Sequence, residues 1–211
     1  MKILFQGDSI TDALRDRSDC HDMGQGYAKF ASAMIADAFP DTELEFVNLG
    51  ISGNRTDQLL ARTTEDIIDI RPDIVSVLIG VNDVWHRYIP EEGAQNTDEQ
   101  YEANYRMILE RIRKETNAKI MIIEPFIIGA PDKEHMRDEM NRVIAIANRL
   151  ADEYADAFLP MAQIFAESVK TAPATVCYSL DGVHPEPDGA CLIAENYLRT
   201  ISPLIEGLDQ K

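Results

Sequence analysis

Cysteine is scarce in this 211-residue chain: Cys20, Cys177 and Cys191 are an odd three with no motif spacing between them. That excludes a disulfide framework or a zinc ribbon and reads as reduced thiols. Long apolar runs are absent too. None approaches the roughly 20 residues that a membrane-crossing helix needs, and Met1-Lys2-Ile3-Leu4-Phe5 turns polar at Gln6 instead of running on as an export signal. Basic residues are in deficit, 20 Lys and Arg facing 37 Asp and Glu for a formal charge of -17. A field of that sign repels phosphate backbones and anionic lipid surfaces, which argues against nucleic acid or a membrane as partner. Aromatics are few at 7%, while hydrophobic residues make up 45%, a balance that suits one α/β domain over residues 1–211. There is no internal repeat, low-complexity tract or linker. The expectation is a soluble, cytoplasmic protein, with assembly into a homo-oligomer left open.

What is present is an alternation of strand and helix patterns. Strands are predicted at Lys2-Gln6, Glu43-Leu49, Asp73-Ile79, Lys119-Glu124 and Ala157-Leu159. The third is almost continuous in aliphatic and β-branched residues, as a strand buried on both faces of a parallel sheet must be, so it is expected at the centre. Helices are predicted near 26–39, 57–70, 98–116 and 133–154, after Pro160, and over 188–205, with loops across 80–97 and about 171–187. Such alternation implies right-handed βαβ crossovers and a three-layer, doubly wound parallel sheet of five strands. Ligands of these sheets bind beyond the carboxyl ends of the strands, so the residues just after each strand carry the functional signal.

The first strand runs into Gly7-Asp8-Ser9-Ile10-Thr11-Asp12, which sets a hydroxyl at a strand-to-helix turn whose backbone N–H groups face an incoming oxygen. Taken alone, such a serine is more commonly an N-cap. The second strand delivers Asn48-Leu49-Gly50-Ile51-Ser52-Gly53-Asn54, where Gly53 can present a bare N–H to a ligand or simply close a tight loop. The central strand ends in Gly80-Val81-Asn82-Asp83-Val84-Trp85, and the Asn82 amide is either a neutral donor to an oxyanion or an Asx-turn residue. Late in the chain, Asp181-Gly182-Val183-His184-Pro185 spaces an acid three residues ahead of an imidazole. A turn there can set the carboxylate on Nδ1 and leave Nε2 free to take a serine proton. Together the four segments supply nucleophile, base, orienter and oxyanion donors.

The same four segments, Gly-Asp-Ser at 7–9, Gly53, Gly-x-Asn-Asp at 80–83 and Asp-x-x-His at 181–184, resemble the four blocks of the SGNH (GDSL-type) hydrolases. The resemblance covers essentially the whole chain. It implies a flavodoxin-like sheet of order 2-1-3-4-5, with Ser9 as nucleophile, His184 as base and Asp181 as its orienter. Oxyanion donors would be the N–H groups of Ser9 and Gly53 and the side chain of Asn82. Within the family, Gly26-Tyr27, Gly50-Ile51-Ser52-Gly53-Asn54 and Gly80–Trp85 look most like carbohydrate O-acetylesterases of the acetylxylan esterase type. Some of these carry a tryptophan immediately before the last aspartate, where this chain has Leu180.

The implied activity is release of acetyl groups from sugars, neutral ones above all, with no cofactor and no metal. Asp8, Trp85 and His86 adjoin these blocks as candidates to touch substrate, Trp85 by stacking on an apolar sugar face or else by packing in the core. The loop residues Asn82, Asp83, His86, Arg87, Tyr88, Glu91 and Glu92 give that wall a polar composition. Asp19-Cys20-His21-Asp22 lacks the converging ligands of a zinc site and reads as a polar loop. Alternatives on the same fold are a lysophospholipase, thioesterase or arylesterase. A phosphate- or flavin-binding module fits the first loop less well, since that loop has one glycine and two acids where a phosphate cradle wants free N–H groups.

Overall fold

A computed structural model describes residues 1–89, 96–129 and 131–210. Among these, the strands β1 (Lys2–Gly7), β2 (Glu45–Asn48), β3 (Ile74–Leu78), β4 (Lys119–Ile123) and β5 (Ala157–Leu159) form one parallel sheet in the order β2-β1-β3-β4-β5. Between them run α1 (Ser9–Asp12), α2 (Tyr27–Ala38), α3 (Thr56–Ala61), α4 (Val81–Trp85), α5 (Asp98–Glu115) and α6 (Arg137–Tyr154), and α7 (Met161–Thr171) and α8 (Pro187–Asp209) follow β5. Helices cover both sides of the sheet: α2 packs on α8, while α5 packs on α3 and α6. The five-stranded, doubly wound expectation therefore holds, with β3 in the middle.

Every residue of β3 is buried, and burying each Val, Ile or Leu side chain there is worth about 1.5–3 kcal/mol. The one polar member, Ser76, is satisfied in place: its hydroxyl donates to Leu4 O at 3.3 Å and accepts from Tyr197 OH at 2.9 Å. Tyr197 of α8 also stacks on Phe5 of β1 at 5.1 Å between ring centroids, fastening the last helix to the sheet's centre. Gly7 ends β1 beside Leu78, and a Cβ there would lie 2.3 Å from Leu78 O, so only glycine lets the two strand ends sit this close.

Two segments depart from the sequence-based expectation. The stretch 80–97, expected to be a loop, starts as helix α4 followed by a 3-10 turn at His86–Tyr88; Glu91 and Glu92 lie outside the described residues. Val81 and Val84 are buried one turn apart, a pairing too short to register as helical periodicity. The single helix expected over 57–70 is instead α3, a π-helical turn at Thr64–Ile68 and a left-handed Arg71 with φ 52°. No helix among the described residues is long and apolar enough to cross a membrane.

Candidate active site

The chain order puts the carboxyl ends of β2, β1 and β3 side by side, and each is followed at once by one of the sequence-flagged segments. At the first, Asp8 is the N-cap of α1 and accepts from Ile10 N at 3.0 Å, so Ser9 opens the helix rather than capping it. Its hydroxyl is thereby left for another partner. Ser9 Oγ lies 2.9 Å from His184 Nε2, and His184 Nδ1 lies 2.6 Å from Asp181 Oδ2. Serine, imidazole and carboxylate thus form one unbroken line.

The loop carrying the last two residues is held from several directions. Ser179 and Pro185 pair as an isolated antiparallel bridge, Glu186 N donates to Tyr178 O at 2.9 Å, and Ile128 N donates to Gly182 O at 2.8 Å. Pro187 then starts α8, a position where its missing N–H costs nothing. Asp181 Oδ1 accepts from Val183 N, His184 N and Ser179 Oγ at 2.9, 2.8 and 3.1 Å. Partial burial pushes this carboxyl up, but the His184 bond and the two backbone N–H groups together outweigh it and hold it at about 2.

On the opposite side, Gly53 follows β2 with φ 81°, a conformation that a side chain would strain, and nothing lies within 4 Å of where its Cβ would be. Asn82, 3% exposed, donates one N–H to Asn54 O at 3.1 Å. Asp83 accepts from Thr56 Oγ1 at 2.6 Å and from Asn96 at 2.7 Å, tying α4 to the start of α3; burial nevertheless raises it to about 6. The GDSL-like lipase/acylhydrolase family model matches residues 5–191. This chain belongs to that family.

It is a carboxylic ester hydrolase, and its relatives are similar over nearly their whole length. It is 36% identical over 209 residues to the acetylxylan esterase of Geobacillus stearothermophilus, covering 95% of this chain and 93% of that one. The solved structure of that esterase superposes with a TM-score of 0.84 at 33% identity, covering 94% and 92%. A GDSL-like lipase structure from Parabacteroides merdae gives 0.85 at 34% identity, covering 94% of each chain. Solved catalytic mutants of the Geobacillus enzyme replace one serine, one histidine and one aspartate by alanine, the aspartate standing three residues before the histidine.

The remaining sequence candidates fall differently in this hydrolase. Trp85 is half-buried and packs against His184, ring centroids 5.9 Å apart. Lys133 Nζ sits 5.1 Å from the same indole centroid while bonding Asp132 at 2.6 Å, so the tryptophan carries a cation as well as a histidine. Asp8 is 1% exposed, with Oδ2 unpartnered; burial and then the neighbouring Asp83 push it to about 7. His86 is buried, with Nδ1 accepting from Arg55 at 3.2 Å. Neither Asp8 nor His86 lines the cavity of about 620 Å³ that opens beside Ser9 and His184. His21 Nδ1 meets Phe46 O at 2.9 Å. Among the described residues no three His, Cys, Asp or Glu side chains converge on a metal position.

Sequence reasoning missed the polar groups that hold the strand ends together. Asn48, buried at the end of β2, donates to Thr11 O at 2.8 Å and accepts from Gly50 N at 3.0 Å. Arg62 spans β1 and β2 by donating to Gly7 O at 3.1 Å and Leu49 O at 2.8 Å. Arg15 donates to Gly50 O at 3.0 Å and lines the cavity.

Proposed function

We propose that this hydrolase removes acetyl groups from soluble sugars in the cytoplasm by a Ser9–His184–Asp181 acyl-enzyme mechanism. The observation that carries the reading is the continuous line from Ser9 Oγ through both nitrogens of His184 to Asp181 Oδ2, at 2.9 and 2.6 Å. Ser9 Oγ attacks the acetyl carbonyl carbon as His184 Nε2 takes its proton. The oxygen that becomes negative is met by the N–H groups of Ser9 and Gly53 and by the second N–H of Asn82, donors that are fixed before the charge appears. His184 returns the proton to the departing sugar oxygen. Water then repeats the attack on the acyl-serine, again giving its proton to His184, and acetate leaves. Asp181, held near 2, stays ionised throughout and keeps the imidazole in the tautomer that presents a bare Nε2.

The acetyl-sugar preference is supported by the Geobacillus acetylxylan esterase being similar over 95% of this chain, and by a charge of -17 that opposes anionic lipid surfaces. A thioesterase or lysophospholipase reading draws on the apolar part of the cavity wall, Ile10, Leu14, Tyr27 and Pro185. The test is kcat/KM for nitrophenyl esters from acetate to octanoate beside acetylated xylose and glucose, with Ser9→Ala as control. A maximum at acetate with acetate release from the sugars is expected. A maximum at hexanoate or longer, with no release from sugars, overturns the acetyl-sugar assignment.

A further inference from the structure

An acetyl group is far smaller than the cavity of about 620 Å³ that opens beside Ser9 and His184, so most of that space faces the alcohol part of the ester. Its wall is unusual for so acidic a chain. Among the described residues two arginines are buried, Arg55 and Arg15. Arg55 is paired with Asp57 at 3.1 Å. Arg15, 7% exposed, has no carboxylate partner among the described residues; its Nε donates to the neutral Gly50 O at 3.0 Å and its Nη1 has no partner at all. Asp12 and Asp66 act on it only through space, so burial leaves this guanidinium without a direct ionic partner, and an anion brought into contact with it relieves the cost.

The backbone leading to Arg15 is itself strained. Ala13 and Leu14 are consecutive non-glycine residues at φ 42° and 63°, a left-handed pair that L side chains avoid. The pair turns the Leu14 side chain outward, 88% exposed on the cavity rim, and carries Arg15 inward beneath Gly50. Strain of this kind persists where surrounding structure enforces it, and it clusters at ligand sites. A second guanidinium, Arg17, lines the same wall; Asp12 Oδ2 holds it at 2.5 Å and also accepts from Ser52 N at 2.8 Å. Within this wall two guanidinium groups face one carboxylate.

Granting the acetylesterase reading of Ser9 and His184, we propose that Arg15, assisted by Arg17, makes this cavity a subsite for a carboxylate on the sugar, so that the preferred substrates are acetylated sugar acids. The whole-chain charge that opposes anionic lipid surfaces acts at long range. Of the two cations lining the cavity, Arg15 is the one with no carboxylate in direct contact.

Three probes separate the possibilities: a methyl glucuronoside carrying one O-acetyl group, the uncharged methyl ester of the same compound, and the monoacetylated methyl glucoside. With the wild-type chain at low salt, kcat/KM for the acid should exceed that for its methyl ester roughly tenfold or more, as a charge-assisted contact implies. The preference should shrink in about 1 M salt. Arg15→Gln should bring the acid-to-ester ratio to about one, Arg15→Lys should keep part of it, and Arg17→Gln should lower it less. A wild-type ratio near one overturns the subsite while leaving the acetyl-sugar reading in place, and needs no variant to fold. A ratio retained in Arg15→Gln removes Arg15 from the role. Failure to release acetate from any of the three, with nitrophenyl acetate still cleaved, overturns the acetyl-sugar reading and the subsite with it.

Discussion

The two sides of the site hold their aspartates in opposite states. On the sheet side, Asp8 is sealed between strand ends with a single backbone donor on its carboxylate, and burial lifts it to about 7. On the loop side, Asp181 is partly open to solvent yet receives three donors on one oxygen and His184 on the other, and it stays at about 2. Donor number, not exposure alone, decides which carboxyl remains charged beside the serine. The sheet side supplies rigidity and neutral donors; the loop side supplies the permanent negative charge.

Removing the atom that joins the two sides should have the largest effect. Ser9→Ala is expected to lower kcat by about 10⁵- to 10⁶-fold with the fold intact; turnover of nitrophenyl acetate and loss of fluorophosphonate labelling check it, and a variant keeping a tenth of the rate would end the assignment. Asp181→Asn keeps the oxygen that Val183, His184 and Ser179 bond but loses the charge, so kcat should fall about 10⁴-fold, and circular dichroism should be unchanged. On the sheet side, Asn82→Ala should reduce kcat about 100- to 1000-fold with little change in KM, because its donor gains strength only as the oxyanion forms. An equal rise in KM at constant kcat would show instead that Asn82 holds substrate or loop.

The smallest effect is on stability, and its sign distinguishes the two aspartates. Asp8 binds its proton more tightly folded than unfolded, so whatever it contributes is present in acid and is lost as pH rises from about 4 through about 7. Asp8→Asn, which keeps an acceptor for Ile10 N, should therefore raise Tm by roughly 2–4 °C per kcal/mol recovered, more at pH 8 than at pH 5. Thermal melts at the two pH values test this, and an equal or reversed gain would refute it. Asp181 has the reverse sign: its stabilising bonds are present above about 4 and are lost only as pH falls toward about 2. Loss of activity on mild acidification should thus not trace to Asp181, which is still charged there.

The strands and the four blocks were legible because each depends on patterns the chain carries openly, aliphatic runs for buried strands and chemically distinct residues just after them, whereas the strand order came with the family resemblance. What escaped notice were Arg15, Asn48 and Arg62. Their partners are the main-chain oxygens of Gly50, Thr11, Gly7 and Leu49, and a carbonyl group has no signature in a sequence. The same cause explains the helix expected over 57–70. Arg62 is drawn inward to the strand ends, and the chain beyond α3 continues as a π turn before a left-handed exit at Arg71. Asp8, Trp85 and His86 looked alike as neighbours of the blocks, but two are buried and the third is sandwiched against His184 and Lys133.

Base and orienter arrive on one short turn, bridged at Ser179 and Pro185, while the nucleophile is anchored in the sheet. The imidazole–carboxylate couple is thus a removable cartridge. If that turn breathes, its internal 2.6 Å contact travels with it, while the 2.9 Å contact to Ser9, the Ile128–Gly182 hydrogen bond and the packing of Trp85 on His184 open. Inactivation by mild denaturant should then precede loss of the sheet and reverse at once on dilution, since reclosing remakes a few contacts around an imidazole–carboxylate couple that has stayed intact.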